Sequence, residues 1–303
     1  MLTLLQISDL HFGPPYRPEV GDALLRAAAD IRPDVIVASG DFTQRAKADQ
    51  FAAARAFLDR LPAVAQIVVP GNHDIPLYRV YERLVSPYGL YRQYISPELD
   101  TVLARDDATI VALNTTAPLR RITDGRIQPW QLDFASRAFQ AAPAHAAKIV
   151  VAHHHLAPAP DSERKRDATL GAREALDCFR RLGVELILGG HLHRSYTASS
   201  HDAFAPADHP PAGDTSRPGD GFSAGDSASG ILIVECGTST SSRGRGRERH
   251  KNSLNVIQID DRTTTVTHWL FSTVTGSFAP ASQHVYPRRG GLFSGPPVEP
   301  VGR

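Results

Sequence analysis

The stretch that most constrains this chain is Ile67-Val68-Val69-Pro70-Gly71-Asn72-His73-Asp74. Three β-branched residues read as a buried strand, and Pro70-Gly71 ends it abruptly. An amide, an imidazole and a carboxylate follow on consecutive residues. Open α/β sheets place their sites in such turns, at the carboxyl ends of strands. The carbonyl oxygen of Asn72 suits hard or borderline cations, and His73 beside it offers a proton donor.

The flanking sequence repeats the arrangement. Leu2 to Ile7 reads as a strand ending at Ser8-Asp9-Leu10-His11, and Asp34 to Ala38 as a second ending at Ser39-Gly40-Asp41. Between them, Val20, Leu24, Ala27, Ala28 and Ile31 share one helical face over 19–31, and Phe51, Ala54, Leu58 and Leu61 do so around 47–60. The order β-α-β-α-β implies neighbouring parallel strands. Further on, 109–113 and 148–152 read as strands, and 129–142 as a helix with proline at its start. The strand at 148–152 opens into His153-His154-His155. A helix over 171–182 precedes the strand 184–188, which ends at Gly189-Gly190-His191-Leu192-His193. Residues 231–235, 253–260 and 264–271 read as strands, the last two joined by a tight turn at 260–262. The aromatic stretch 75–100 reads either as a helix docking on the sheet or as a lid over the key turn.

Composition narrows the classes. A hydrophobic share of 42% supplies a substantial core, and a net charge of +1 speaks against wholesale nucleic-acid binding. Cys178 and Cys236 lie far apart with no metal-like spacing, as expected for reduced thiols in a cytoplasmic protein. The apolar start meets Asp9 too soon for a signal peptide, and no run approaches the ~20 apolar residues of a membrane span. Residues 202–229 are rich in Ala, Pro, Gly, Asp and Ser and read as a flexible insertion. One domain is therefore expected over 1–275, with a Gly/Pro-rich, partly ordered tail over 276–303.

Five strand ends thus carry ligand-type residues, and seven of the 13 histidines fall in them. Asp-x-His or His-x-His alone is a weak signal; all five in order, each closing a strand, are not. With these motifs the sequence resembles the calcineurin-like metallophosphoesterase superfamily, whose pattern is Asp-x-His, Gly-Asp, Gly-Asn-His-Asp/Glu, His, Gly-His-x-His. The wording Asp9-Leu-His11, Gly71-Asn-His-Asp74 and Gly190-His-Leu-His193 looks most like bacterial relatives of the class III cyclic-nucleotide phosphodiesterases. The resemblance implies a four-layer α-β-β-α sandwich of two mixed sheets.

The resemblance also implies two divalent metal ions. Asp41 would bridge them; Asp9, His11 and His193 would complete one site, and Asn72, His153 and His191 the other. Oxygen and imidazole donors without thiolate suit manganese, iron or zinc. Where the family has His-His-Pro, this chain reads His153-His154-His155-Leu156-Ala157-Pro158, so either His153 or His154 takes the ligand position. The implied reaction is hydrolysis of a small phosphodiester, a cyclic nucleotide foremost, by a metal-bridging hydroxide. His73 would act as a catalytic acid or charge stabiliser, with Asp74 fixing its tautomer.

Residues 243–251 form an arginine-rich cluster that reads as a solvated hairpin loop or as a funnel for anions. In the second case Arg243 and Arg245, with Asn72 and His73, contact substrate. Three classes compete: a phosphodiesterase or phosphomonoesterase on small molecules, a nuclease, and a non-catalytic module that kept the fold. The filled ligand positions disfavour the module, and the near-neutral charge makes nucleic acid an unlikely partner. The sequence leaves the oligomeric state open.

Overall fold

The computed structural model describes residues 1–121, 123–158, 169–200 and 230–288. The proposed insertion at 202–229 and the chain beyond Arg288 lie outside them. Strand β1 (Leu2–Ile7), helix α1 (Pro18–Ile31), β2 (Val35–Ala38), α2 (Ala48–Leu58) and β3 (Ala65–Val68) alternate as the sequence predicts. The three strands pair in parallel, in the order β1-β2-β3. Helix α1 starts with proline in its first turn and stops where Arg32 turns left-handed (φ 52°), its amide closing on Ala28.

The aromatic stretch divides in two. In α4 (Gly89–Tyr94), Tyr91 is fully buried against Phe42 and Phe51. In α3 (Val80–Val85) nothing is buried; the segment is tied down by Arg79, which donates to the Ala46 carbonyl, and Arg83, which donates to those of Pro118 and Arg120. Of the two, α4 docks by burial, and it does so against α2 and the turn after β2.

A second sheet follows: β4 (Thr101–Ala104), β5 (Ala108–Leu113), β6 (Ala147–Ala152), β7 (Leu186–Gly189), β8 (Tyr196–Ser199) and β9 (Leu232–Glu235), in the order β4-β5-β6-β7-β9-β8. Helices α5 (Pro129–Gln140) and α6 (Ala172–Leu182) cover it. The chain then returns to the first sheet with β10 (Ser253–Ile259), β11 (Thr263–Ser272) and β12 (Ser277–Pro287), giving β12-β11-β10-β1-β2-β3. The tail expected from 276 therefore contributes an edge strand, and 231–235 belongs to a different sheet from the β10–β11 hairpin.

Side-chain alternation builds the layers. Leu2 and Leu4 of β1 meet Ile149, Val151, Leu186 and Leu188 between the sheets, while Leu5 and Ile7 pack under α1 and α2. On the far side, Val150 and Ile187 meet Phe139 of α5 and Phe179 of α6. The result is the four-layer α-β-β-α sandwich. Among the described residues no helix is long and apolar enough to cross a membrane.

Candidate metal centre

The turns after β1, β2 and β3 meet those after β6 and β7 at one end of the seam between the sheets. Hydrogen bonds lock them together: the Asp9 amide donates to Gly40 O (3.0 Å), His11 to Asp41 O (2.9 Å) and Gly190 to His153 O (3.1 Å). Asp9, His11, Asp41, His191 and His193 all adopt left-handed backbone, with φ from 50° to 67°. Non-glycine residues rarely do so, and such strain gathers at functional sites. Two glycines make room. A Cβ on Gly71 would collide with the Asp41 carboxylate, and one on Gly40 would lie 2.6 Å from His153 Nδ1.

The polar atoms fall into two sets that share Asp41. One ligand atom each from Asp9, His11, Asp41 and His193 lie within 4.8 Å of one another. His193 Nε2 is 3.1 Å from both Asp9 Oδ1 and His11 Nε2, and His11 Nε2 is 3.7 Å from Asp41 Oδ2. The other Asp41 oxygen, Oδ1, faces the second set. It lies 3.5 Å from His153 Nε2, which is 3.2 Å from Asn72 Oδ1; that oxygen is 2.9 Å from His191 Nδ1. Of the two histidines left open, His153 points among these donors, while His154 turns to Thr115 Oγ1 (2.8 Å).

These sets have the chemistry of cation sites. The Nδ1 atoms of His153 and His193 lie 2.7 and 2.9 Å from the carbonyls of Ser39 and Arg243, and His11 Nδ1 lies 3.4 Å from that of Thr43. Carbonyls only accept, so the ring protons sit on Nδ1 and bare Nε2 lone pairs face the carboxylates. Among the described residues, Asp9 Oδ1 and Asp41 Oδ2 are buried with no hydrogen-bond donor. Acceptors facing acceptors away from water require a cation between them. Without a metal, a proton takes that part. Burial disfavours the His153 imidazolium, but the Asp41 carboxylate outweighs it and pushes the group up to about 10. Burial takes His11 down to about 4 against the pull of Asp9 and Asp41.

The family profile of the calcineurin-like phosphoesterases matches residues 2–195, nearly two thirds of the chain and all five motifs. The chain belongs to this family. A probable cyclic nucleotide phosphodiesterase of Rhodococcus erythropolis is 27% identical over 208 residues, 65% of this chain and 66% of that protein, just under two thirds of its length. Among solved structures, the yellow lupin seed purple acid phosphatase PPD1 superposes with a TM-score of 0.67 at 12% identity, over 98% of this chain and 57% of its own. GAP50, described as the anchor in the inner membrane complex of Plasmodium, gives 0.58 at 12% identity, over 96% and 90%. These structures share the fold.

Within this phosphoesterase fold, His73 lies beside the first set, its ring 4.9 Å edge-on from that of His11. Its amide donates to Asp41 Oδ1 (2.7 Å). The expectation that Asp74 sets its tautomer is overturned. Asp74 is buried, and its oxygens accept the amides of Phe42 (3.2 Å), Thr43 (2.9 Å) and Gly71 (2.9 Å) and the Thr43 hydroxyl (3.1 Å). The partner of His73 Nδ1 is the Gln44 carbonyl, 2.9 Å away. Asp74 therefore staples the turn at 41–43 to that at 71–74. Burial lowers the His73 pKa and the neighbouring Arg243 charge adds to this, against the pull of Asp41.

The arginine cluster also resolves by residue. Arg243 is half-buried and donates to Gln44 Oε1 (2.9 Å), whereas Arg245 is exposed at the rim and gives its main-chain amide to His193 O (3.2 Å). The preceding residues Thr238 to Ser241 are buried and bond within the protein. Thr238 and Thr240 hydroxyls donate to the carbonyls of Asp9 (2.7 Å) and Leu10 (2.8 Å), and Ser239 Oγ accepts the Ser8 amide (3.0 Å). Sequence reasoning missed this clamp and Gln44. The hydroxyl run itself was a signal for the clamp; Gln44 carried none beyond following the Gly-Asp turn.

Proposed function

We propose that this protein is a binuclear metal-dependent phosphodiesterase of small substrates, with a 3′,5′-cyclic nucleotide the first candidate. The observation that carries the reading is the Asp41 carboxylate, with one oxygen facing each donor set. Two divalent ions, manganese, iron or zinc, would be held by Asp9, His11, Asp41 and His193 and by Asp41, Asn72, His153 and His191. When bound they supply Lewis-acid charge and lower the pKa of water for attack in line with the leaving oxygen.

The chain's own residues do the rest. The carbonyls of Ser39, Thr43 and Arg243 hold three imidazoles with their lone pairs inward. With Nδ1–H held by the Gln44 carbonyl, His73 would act in its imidazolium form, giving the Nε2 proton to the leaving oxygen and returning to the neutral ring. Arg243, half-buried beside it, is a charge-assisted donor for phosphate oxygens. The relative from Rhodococcus erythropolis supports the cyclic-nucleotide choice, and the net charge of +1 weighs against nucleic acid.

The test is a substrate panel with Mn²⁺: cyclic AMP, bis(p-nitrophenyl) phosphate, p-nitrophenyl phosphate and single-stranded DNA. Turnover of the two small diesters is expected to lead. Faster turnover of the monoester or of DNA would replace the reading by phosphomonoesterase or nuclease.

A further inference from the structure

One residue outside the donor sets touches both groups assigned to the phosphoryl group. We infer that Gln44 is a positioning residue: its carbonyl oxygen fixes the His73 ring and its side-chain oxygen fixes the Arg243 guanidinium, so that both address one phosphate from the same side. The inference rests on the phosphoesterase reading.

The geometry is specific. Gln44 is 7% exposed, and its amide is fixed by the Phe12 carbonyl at 3.0 Å. Its side chain lies against Gly13, where a Cβ would come within 3.1 Å of the Gln44 Cβ. From this anchored residue, the main-chain oxygen takes His73 Nδ1 and the amide oxygen takes an Arg243 nitrogen, each at 2.9 Å. Arginine has donors only, so the amide must turn its oxygen, not its nitrogen, to the guanidinium. His73 and Arg243 come from turns far apart in the chain, and Gln44 sets their spacing. Loop 41–47 thereby becomes the collecting element of the site. Asp41 faces both donor sets, the Thr43 carbonyl faces the His11 ring, and Gln44 serves the pair outside them.

The choice of glutamine is itself informative. A neutral amide holds a guanidinium without cancelling its charge, leaving the remaining donors of its planar fork for an anion. A carboxylate here would pair with Arg243 and set a negative charge beside the place a phosphate must occupy. Glutamine at 44 is thus what a site for an anion requires, whereas packing alone would accept any side chain of similar volume.

The experiment measures inorganic phosphate binding by calorimetry to the metal-loaded full chain, beside KM and kcat for bis(p-nitrophenyl) phosphate and metal content. Gln44→Met keeps the volume and the main-chain carbonyl. It is expected to weaken phosphate roughly three- to tenfold and to raise KM more than it lowers kcat, with both metals retained. Gln44→Glu keeps the acceptor but neutralises the arginine, so it should weaken phosphate at least as much. Arg243→Ala should cost roughly ten- to a hundredfold, and adding Gln44→Met to it should change little further. Wild-type phosphate affinity in Gln44→Met or Gln44→Glu, or full additivity with Arg243→Ala, would overturn the inference. A wild-type protein that binds phosphate but cleaves no diester would overturn the proposed activity instead, and the variant series would still decide the role of Gln44.

Discussion

At the scale of single residues, the site is a set of bare acceptors awaiting positive charge, and this has a measurable consequence. His153, pushed up to about 10 chiefly by Asp41 against its burial, carries a proton at neutral pH when no metal is present. A metal ion must displace it. Metal binding at pH 7 is therefore expected to release about one proton from this residue, read by calorimetry in buffers of different ionisation enthalpy. The sign for stability follows from linkage. The folded-state pKa lies above the ordinary 6.5, so the stabilisation is fully present below about 6.5 and is lost as pH rises through about 10. The Tm of chelator-treated protein should fall across that window. A flat profile with no proton release would show that His153 is neutral there. His73 calls for a different experiment. His73→Ala should keep its metals and lose ~10²–10⁴-fold in rate on a diester with a poor leaving group, and much less with a nitrophenyl leaving group. Loss of a metal would make His73 a ligand. Asp74→Ala should instead lower stability by ~1–3 kcal/mol by stranding buried amides, with no dependence on the leaving group.

At the scale of elements, legibility followed burial. Strands β1, β2, β3, β5, β6 and β7 could be read because their cores are β-branched or aliphatic runs, and all but β5 end in donor-type residues. Strands β4, β8 and β12 could not. Each is an edge strand with few buried positions, and β12 contains Pro280 where its pairing with β11 shifts register between His268 and Trp269. The same logic divides the aromatic stretch: beyond Ile75 and Pro76 beside the key turn, full burial reaches Tyr91 and Ile95, in or next to α4, with Leu90 and Tyr94 partly buried. Tyr91 offers a test of that docking. Its ring is buried against Phe42 and Phe51, while its hydroxyl is buried with no hydrogen-bond partner among the described residues. Tyr91→Ala should cost about 3–5 kcal/mol by opening a cavity. Tyr91→Phe should be neutral or stabilising, since it removes a desolvated hydroxyl and keeps the packing. A destabilising Tyr91→Phe would reveal a bond to that hydroxyl.

At the scale of the whole molecule, the two sheets contribute different donor residues. Asp9, His11, Asp41 and Asn72 follow strands of the first sheet, and His153, His191 and His193 follow strands of the second. The motifs announced these residues one by one. Their convergence across the seam could not be read locally, because it depends on Leu2, Leu4, Val35 and Val37 packing against Ile149, Val151, Leu186 and Leu188. A cation in either donor set would therefore tie the sheets together as well as serve chemistry. Binding to the folded state alone stabilises by RT ln(1 + [L]/Kd), or ~4 kcal/mol for a site held at 1,000 times its Kd. In a chain this size that corresponds to a rise in Tm of roughly 6–8 °C per site, measured by scanning calorimetry as Mn²⁺ is added to chelator-treated protein. Asp41→Asn keeps the shape but removes the charge common to both sets, so most of the rise from both sites should disappear. His191→Ala belongs to the second set alone, so the contribution of the first site should survive. If Asp41→Asn loses no more of the rise than His191→Ala does, Asp41 serves one site and the shared-carboxylate assignment is wrong.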